Sequence, residues 1–340
     1  MRYVLWLLLL FVPSSLASQS AAVSVTPSPH AINIPKWFSL SFLDFQEDVA
    51  EAAREGRRLM VYVGQDGCPY CTALMKVNFG DAAITAYTRR HFVAVALNLW
   101  GDREVKWIDG SIMSEKALAA KLRVQYTPTL LFFDESARVV LRLNGYTPPD
   151  KFRQALDFVV GRHEAKQSFA DYVAGKAPPA ARTSLGAQPF FTRGETHLAR
   201  LVTDASKPLV LVFEQRACRE CDEIHRDAFS LPKVRAQMAR FHAVQLDARG
   251  ARAVVGLNGA RTTEARLAHE LQVVYTPSLI FFDSGGREVF RAEGYMRPFH
   301  VESVLDYVAS GAYRREPSFQ RFIKQRADEA HAAGRQVVLW

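Results

Sequence analysis

The chain has 340 residues, 49% apolar and 23% charged. That is an ordinary globular composition, which suits about two domains and excludes a disordered or collagen-like chain over most of its length. The formal charge of +8, from 43 Lys+Arg against 35 Asp+Glu, permits an anionic partner without requiring one, and four cysteines are too few for a disulfide-stapled scaffold.

Arg2 precedes the apolar run from Tyr3 to Val12, Pro13 ends it, and Ser15-Leu16-Ala17 follows. Residues 1–17 therefore read as a cleaved secretory signal. The run is too short to cross a hydrocarbon core of about 30 Å as a helix, and an uncleaved anchor is the alternative. No later segment approaches about 18 unbroken apolar residues, so no stable membrane insertion is expected of the mature chain. The expected destination is periplasmic or secreted, where thiols can be oxidised. Residues 18–36, rich in Ser, Ala and Pro, read as a flexible lead-in.

The rest of the chain repeats itself. Cys68-Pro69-Tyr70-Cys71 aligns with Cys218-Arg219-Glu220-Cys221 at an offset of 150, and Tyr126-Thr127-Pro128 with Tyr275-Thr276-Pro277 at 149. Leu131-Phe132-Phe133-Asp134 matches Ile280-Phe281-Phe282-Asp283, and Gly145-Tyr146 matches Gly294-Tyr295. The register slips by one near 80–91 and recovers near 161–168. Two homologous domains follow, over 37–175 and 187–333, joined by a semi-stiff Pro/Ala linker at 176–186.

In repeat one the pattern predicts a helix over 44–55, then a buried strand at Leu59 to Val63. A helix opens at the C-x-x-C, and a second strand covers Phe92 to Leu97. A helix near 114–122 starts at Ser114 as N-cap. After Thr127-Pro128 come the strand Leu130 to Phe133, a polar turn, the strand Arg138 to Leu143, and a helix over 149–160. This order gives an α/β fold in each repeat, a mixed central sheet with helices on both faces. Phe132-Phe133 and Phe281-Phe282 read as core strand. Phe322 to Ala333 reads as helical, and 334–340 as a C-terminal tail, an edge strand or the start of a third repeat.

The strand, C-x-x-C, helix and Thr-Pro before a strand-hairpin-helix resemble the thioredoxin superfamily over nearly all of both repeats. Ser114-Glu115-Lys116-Ala117-Leu118-Ala119, Thr127 to Asp134 and Gly145-Tyr146 are similar in particular to SoxW-like periplasmic thioredoxins. The resemblance implies two thioredoxin-like domains in tandem, with Pro128 and Pro277 cis and facing the cysteines. It implies a thiol–disulfide oxidoreductase with no cofactor, reducing disulfides of exported proteins and fed by a membrane electron donor. Cys68-Pro69-Tyr70-Cys71 carries the dipeptide typical of glutaredoxins, without a glutathione-binding pattern beside it.

The spacing suits that chemistry. A cysteine at a helix start meets free N–H groups and the helix dipole, which favour its thiolate. Cys68 and Cys218 are therefore the expected nucleophiles, on an exposed first turn, and Cys71 and Cys221 the resolving thiols. Pro69 suits the first helical position. The backbone of Thr127, with Pro128, and of Thr276, with Pro277, is expected to pair with substrate as an added strand.

Other readings stand beside this one. The two pairs could share a zinc ion, carry copper, or be structural disulfides. A second function class is a polypeptide-binding, chaperone-like module with structural or vestigial cysteines. Basic residues are dispersed, and no nucleic-acid partner is expected. Repeat two departs from the pattern: Arg219 should favour a Cys218 thiolate, while Glu220, Asp222 and Glu223 oppose it, so Cys218 is expected to have the higher pKa and the more reducing disulfide. The Trp that usually precedes the first cysteine is replaced by Gly67 and Ala217. Tyr62 and Val212 stand where the superfamily carries a buried acid. Asp66 and Glu214 are nearby acids read as solvated, and His225 as a surface residue.

Overall fold

The computed structural model describes residues 31–176, 184–192, 197–204, 206–216 and 218–335. The expected signal, most of the lead-in and linker, and residues 336–340 of the tail lie outside the described residues. Ile32 and Ile34, at the end of the expected lead-in, pack against the first core.

The first domain runs α1 (Phe45–Arg54), β1 (Arg58–Gly64), α2 (Pro69–Ala73), α3 (Ala82–His91), β2 (Phe92–Asn98), β3 (Glu104–Lys106), β4 (Ile112–Ser114), α4 (Glu115–Lys121), β5 (Thr129–Phe133), β6 (Val139–Asn144), α5 (Pro149–Val160) and α6 (Phe169–Lys176). The second repeats it with α7 (Leu198–Thr203), β7 (Leu209–Glu214), α8 (Arg219–Ile224), α9 (Pro232–Met238), β8 (His242–Asp247), β9 (Ala253–Val255), β10 (Arg261–Thr263), α10 (Glu264–Glu270), β11 (Ser278–Phe282), β12 (Glu288–Glu293), α11 (Pro298–Ala309) and α12 (Phe319–Ala332). The cysteine helices α2 and α8 each continue into a π-helical turn, Leu74–Asn78 and His225–Phe229. The one-residue slip between repeats falls where α3 runs ten residues and α9 only seven.

Each domain has a four-stranded sheet, β2-β1-β5-β6 and β8-β7-β11-β12. The pairs β1/β2 and β7/β8 are parallel and the rest antiparallel, so both sheets are mixed. The central strands are apolar on both faces because helices cover both. On β1, Met60 and Tyr62 enter the core that holds the cysteines, while Leu59, Val61 and Val63 enter the opposite one under α1 and α4. Alternate residues of β5 divide the same way. Helix α5 buries Phe152, Ala155, Leu156, Phe158 and Val159, each larger side chain stabilising the fold by about 2 kcal/mol.

Local signals set the ends of these elements. Ser114 Oγ accepts the Ala117 N–H at 3.3 Å, and Thr263 does the same for Arg266, as expected of N-caps. Beside them Glu115 and Glu264 are buried and accept the N–H groups of Asn98 and Asp247 at 2.9 and 3.2 Å. These carboxylates pin the loop that leaves the second strand. A Cβ at Gly101 or Gly250 would stand 1.9 or 2.0 Å from them, which accounts for glycine at both places.

Candidate functional site

Cys68 is the N-cap of α2 and Cys218 the N-cap of α8. Their Sγ atoms accept the backbone N–H of Cys71 at 3.0 Å and of Cys221 at 3.1 Å. Each pair is joined as a disulfide with Cα atoms 5.2 Å apart. Pro69 occupies the first helical position of α2, where its missing N–H costs nothing.

The peptide bonds Thr127-Pro128 and Thr276-Pro277 are both cis. Each threonine lies against the first cysteine of its own domain. Cys68 Sγ is 3.4 Å from the Thr127 carbonyl oxygen and 3.3 Å from its Oγ1, and Cys218 Sγ is 3.5 and 3.4 Å from the same atoms of Thr276. The threonine hydroxyl can donate to the sulfur, a contact that gains strength when the sulfur is an anion. Glycines with positive φ, Gly145 and Gly294, seat the following loop by donating to the carbonyls of Pro128 and Pro277 at 2.8 and 2.9 Å.

A sequence profile described as the thioredoxin-like domain matches residues 45–160 and 197–309, more than half of the chain. The chain belongs to the thioredoxin-like family. No curated protein matches it significantly. Among solved structures, a thioredoxin-fold protein from Helicobacter pylori is 23% identical, over 40% of this chain and 91% of its own, with a TM-score of 0.33. A thioredoxin from Thermus thermophilus is 28% identical, over 34% of this chain and 83% of its own, with a TM-score of 0.27. Among the described residues no helix is long and apolar enough to cross a membrane.

Several expectations about the surroundings of the cysteines are corrected. The first cysteines are not on an exposed turn: Cys68 and Cys218 are only 4% and 6% exposed. Three of the charges in the second motif are paired. Arg219 pairs with Glu223 at 3.0 Å and points to solvent, and Glu220 accepts Lys151 Nζ from the first domain at 2.6 Å. Arg219 and Glu220 thus each have a partner of opposite charge.

The two acids also differ. Asp66 is exposed and accepts the Ile32 N–H at 3.1 Å. Glu214 is only 1% exposed. It lies on the cysteine side of β7 and accepts His225 Nε2 at 2.7 Å and Gln245 Nε2 at 2.6 Å. His225 follows Cys221 by one helical turn, its side chain 12% exposed, with Nδ1 3.1 Å from Gln188 Nε2. It is an interior residue, and the Glu214–His225 pair has no counterpart in the first domain, where Gly64 leaves room that the Tyr62 ring fills. The Tyr62 hydroxyl is buried without a hydrogen-bond partner among the described residues, and burial pushes its phenol well above the usual value.

The domains meet through the loops that carry these sites, in a pseudo-twofold arrangement. Tyr126 of the first domain lies against Phe290 and Phe319 of the second, with centroids 5.5 and 5.6 Å away. Its equivalent Tyr275 reaches the first core, 5.9 Å from Phe169, with its hydroxyl 3.3 Å from Thr147 Oγ1. Tyr70, between the first two cysteines, meets His300 and accepts the Arg297 N–H at 3.4 Å. The equivalent contact is Glu220 with Lys151. Near the axis, Asn144 Nδ2 donates to its own equivalent, Glu293 Oε2, at 2.6 Å. None of these contacts could be found from motif or periodicity, because each joins residues far apart in the chain.

Proposed function

We propose that this protein is a thiol–disulfide oxidoreductase with two reaction centres. The observation that carries the reading is the twofold recurrence of one geometry: a cysteine sulfur at a helix start, accepting the N–H of its partner cysteine and touching the threonine of a Thr-Pro loop. Backbone N–H and hydroxyl donors aimed at one sulfur favour its thiolate. That thiolate attacks one sulfur of a substrate disulfide, and the electron pair of the broken S–S bond leaves on the other sulfur. The second cysteine loses its proton and attacks the mixed disulfide, so the substrate departs with two electrons and the protein pair is oxidised. Cys68 and Cys218 attack; Cys71 and Cys221 resolve, and being 0% and 1% exposed they are less accessible to a second substrate.

The signal-like N-terminus supports a periplasmic or secreted site of action, with exported proteins as substrates and a membrane electron donor restoring the thiols. Turnover of a model disulfide by the full chain, with a dithiol as reductant, tests the reading. Cys68→Ser and Cys218→Ser together should reduce turnover by about 100-fold or more, and Cys71→Ser should trap a mixed disulfide on Cys68. Wild-type protein that shows no turnover, but suppresses aggregation as well as the doubly substituted chain, would replace this reading with the chaperone-like one.

A further inference from the structure

A polypeptide recognised as an added strand needs free backbone groups on the loop before the cis-proline and space beside the dipeptide between the cysteines. Part of each is taken up here by the other domain. In the first domain the Gln125 carbonyl accepts Gln320 Nε2 at 2.9 Å, and the Gln125 side chain accepts the Phe319 N–H at 3.3 Å. The Tyr126 ring is packed into the second core, and Tyr70 is covered by Arg297 and His300. In the second domain Val274 and Tyr275 pack into the first core, and Glu220 is held by Lys151.

The cover is uneven. A cleft of about 2130 Å³ between the domains is lined by Cys218, Thr276 and Tyr70 but not by Cys68. The helix α12 adds to the cover on the first side, where Gln65, three residues before Cys68, donates to Gln320 Oε1 at 2.6 Å.

We propose that the chain is self-capped: each domain occupies the polypeptide-reading surface of the other, Cys218 stays reachable through the cleft by low-molecular-weight thiols and disulfides, and polypeptide gains the Cys68 groove only when the domains part. This rests on the thiol-exchange reading and adds to it the class of partner that the closed chain admits. A small dithiol enters as reductant. One of its thiolates attacks Cys218 Sγ, and the electron pair of the Cys218–Cys221 bond goes to Cys221. Its second thiolate attacks the mixed disulfide, leaving the small molecule as a cyclic disulfide and both cysteines reduced, with two protons taken up.

The test is alkylation of the reduced full chain, with each cysteine followed by mass spectrometry. Two reagents are compared, N-ethylmaleimide and a maleimide on a long polyethylene glycol chain. In the wild type the bulky reagent should be slowed at Cys68, relative to the small one, about tenfold more than at Cys218. The double variant Asn144→Asp/Gln320→Ala sets a carboxylate against Glu293 and frees the Gln125 carbonyl. It should raise the Cys68 rate about tenfold and change the Cys218 rate less than about threefold. Reduction of insulin should rise with the Cys68 rate, while reduction of a small aromatic disulfide stays level. Equal size dependence at Cys68 and Cys218 in the wild type overturns the capping, without recourse to the variant. If the alkylation contrast holds and neither disulfide is turned over, capping stands and the thiol-exchange reading falls.

Discussion

Tyr70 stands edge-on to His300, ring centroids 5.1 Å apart at an interplanar angle of 71°, so the dipeptide between two cysteines of one domain is covered by an imidazole from the other. His300 Nδ1 is shielded from solvent and has no hydrogen-bond partner among the described residues. Burial lowers the imidazole from its ordinary 6.5 to about 4. A histidine held neutral in this way adds stability that is fully present above pH 6.5 and lost as the pH falls toward 4.

The urea midpoint of the full chain should therefore drop between these two values, and the drop should be smaller in His300→Phe. Carboxylates held low by cationic partners, such as Asp227 beside Arg226, lose their contribution on acidification in both proteins. The difference between the two profiles isolates the imidazole. Parallel profiles would remove His300 as a source of acid sensitivity.

The hydroxyl of Thr127, 3.3 Å from Cys68 Sγ, gives a second prediction. Thr127→Val keeps the shape of the side chain and deletes the donor. The Cys68 thiol pKa, read from thiolate absorbance in a Cys218→Ser/Cys221→Ser background, should rise by about one pH unit, or ~1.4 kcal/mol. An unchanged titration would mean that the N–H groups of the helix carry the stabilisation alone.

Tyr126 and Tyr275 occupy equivalent places but differ in their hydroxyl groups. That of Tyr275 meets Thr147, whereas that of Tyr126 is buried without a partner among the described residues, since Met296 stands where Thr147 does in the other half. Tyr275→Phe should cost about 1 kcal/mol, while Tyr126→Phe should be neutral or stabilise by up to ~1 kcal/mol. Equal losses in chemical denaturation would contradict this assignment.

Glu214→Ala should be among the most disruptive single changes in the second domain. It strips partners from His225 and Gln245 in the interior, and a loss of about 3 kcal/mol is expected. Glu214→Gln keeps an acceptor for His225 and should cost less, on the order of 1 kcal/mol. Thermal unfolding of the two variants would separate them.

Much of the fold was legible because its signals are local. The buried strands β1 and β5, the Ser114 cap and the helix α5 each announce themselves within a few residues of sequence. The three-residue strands β3 and β4 are too short to show any period. The burial of Glu214 and His225 is not legible in the sequence for a different reason. They come from a strand and from the helix above it, and only packing shows that the acid at the end of an apolar strand faces inward. The same holds for Tyr126 and Tyr275: an aromatic residue before Thr-Pro looks like ordinary core, and nothing nearby says that the core belongs to the other domain.

The meeting of Asn144 with Glu293 bears on which halves can associate. Because these residues are each other's counterparts, two identical second halves docked in the same manner would bring glutamate against glutamate, setting two anions side by side. Two first halves would set amide against amide and forgo the charged hydrogen bond. The mixed pairing is the one that satisfies both side chains, so divergence at a single position biases a first half to dock on a second half rather than on its own kind.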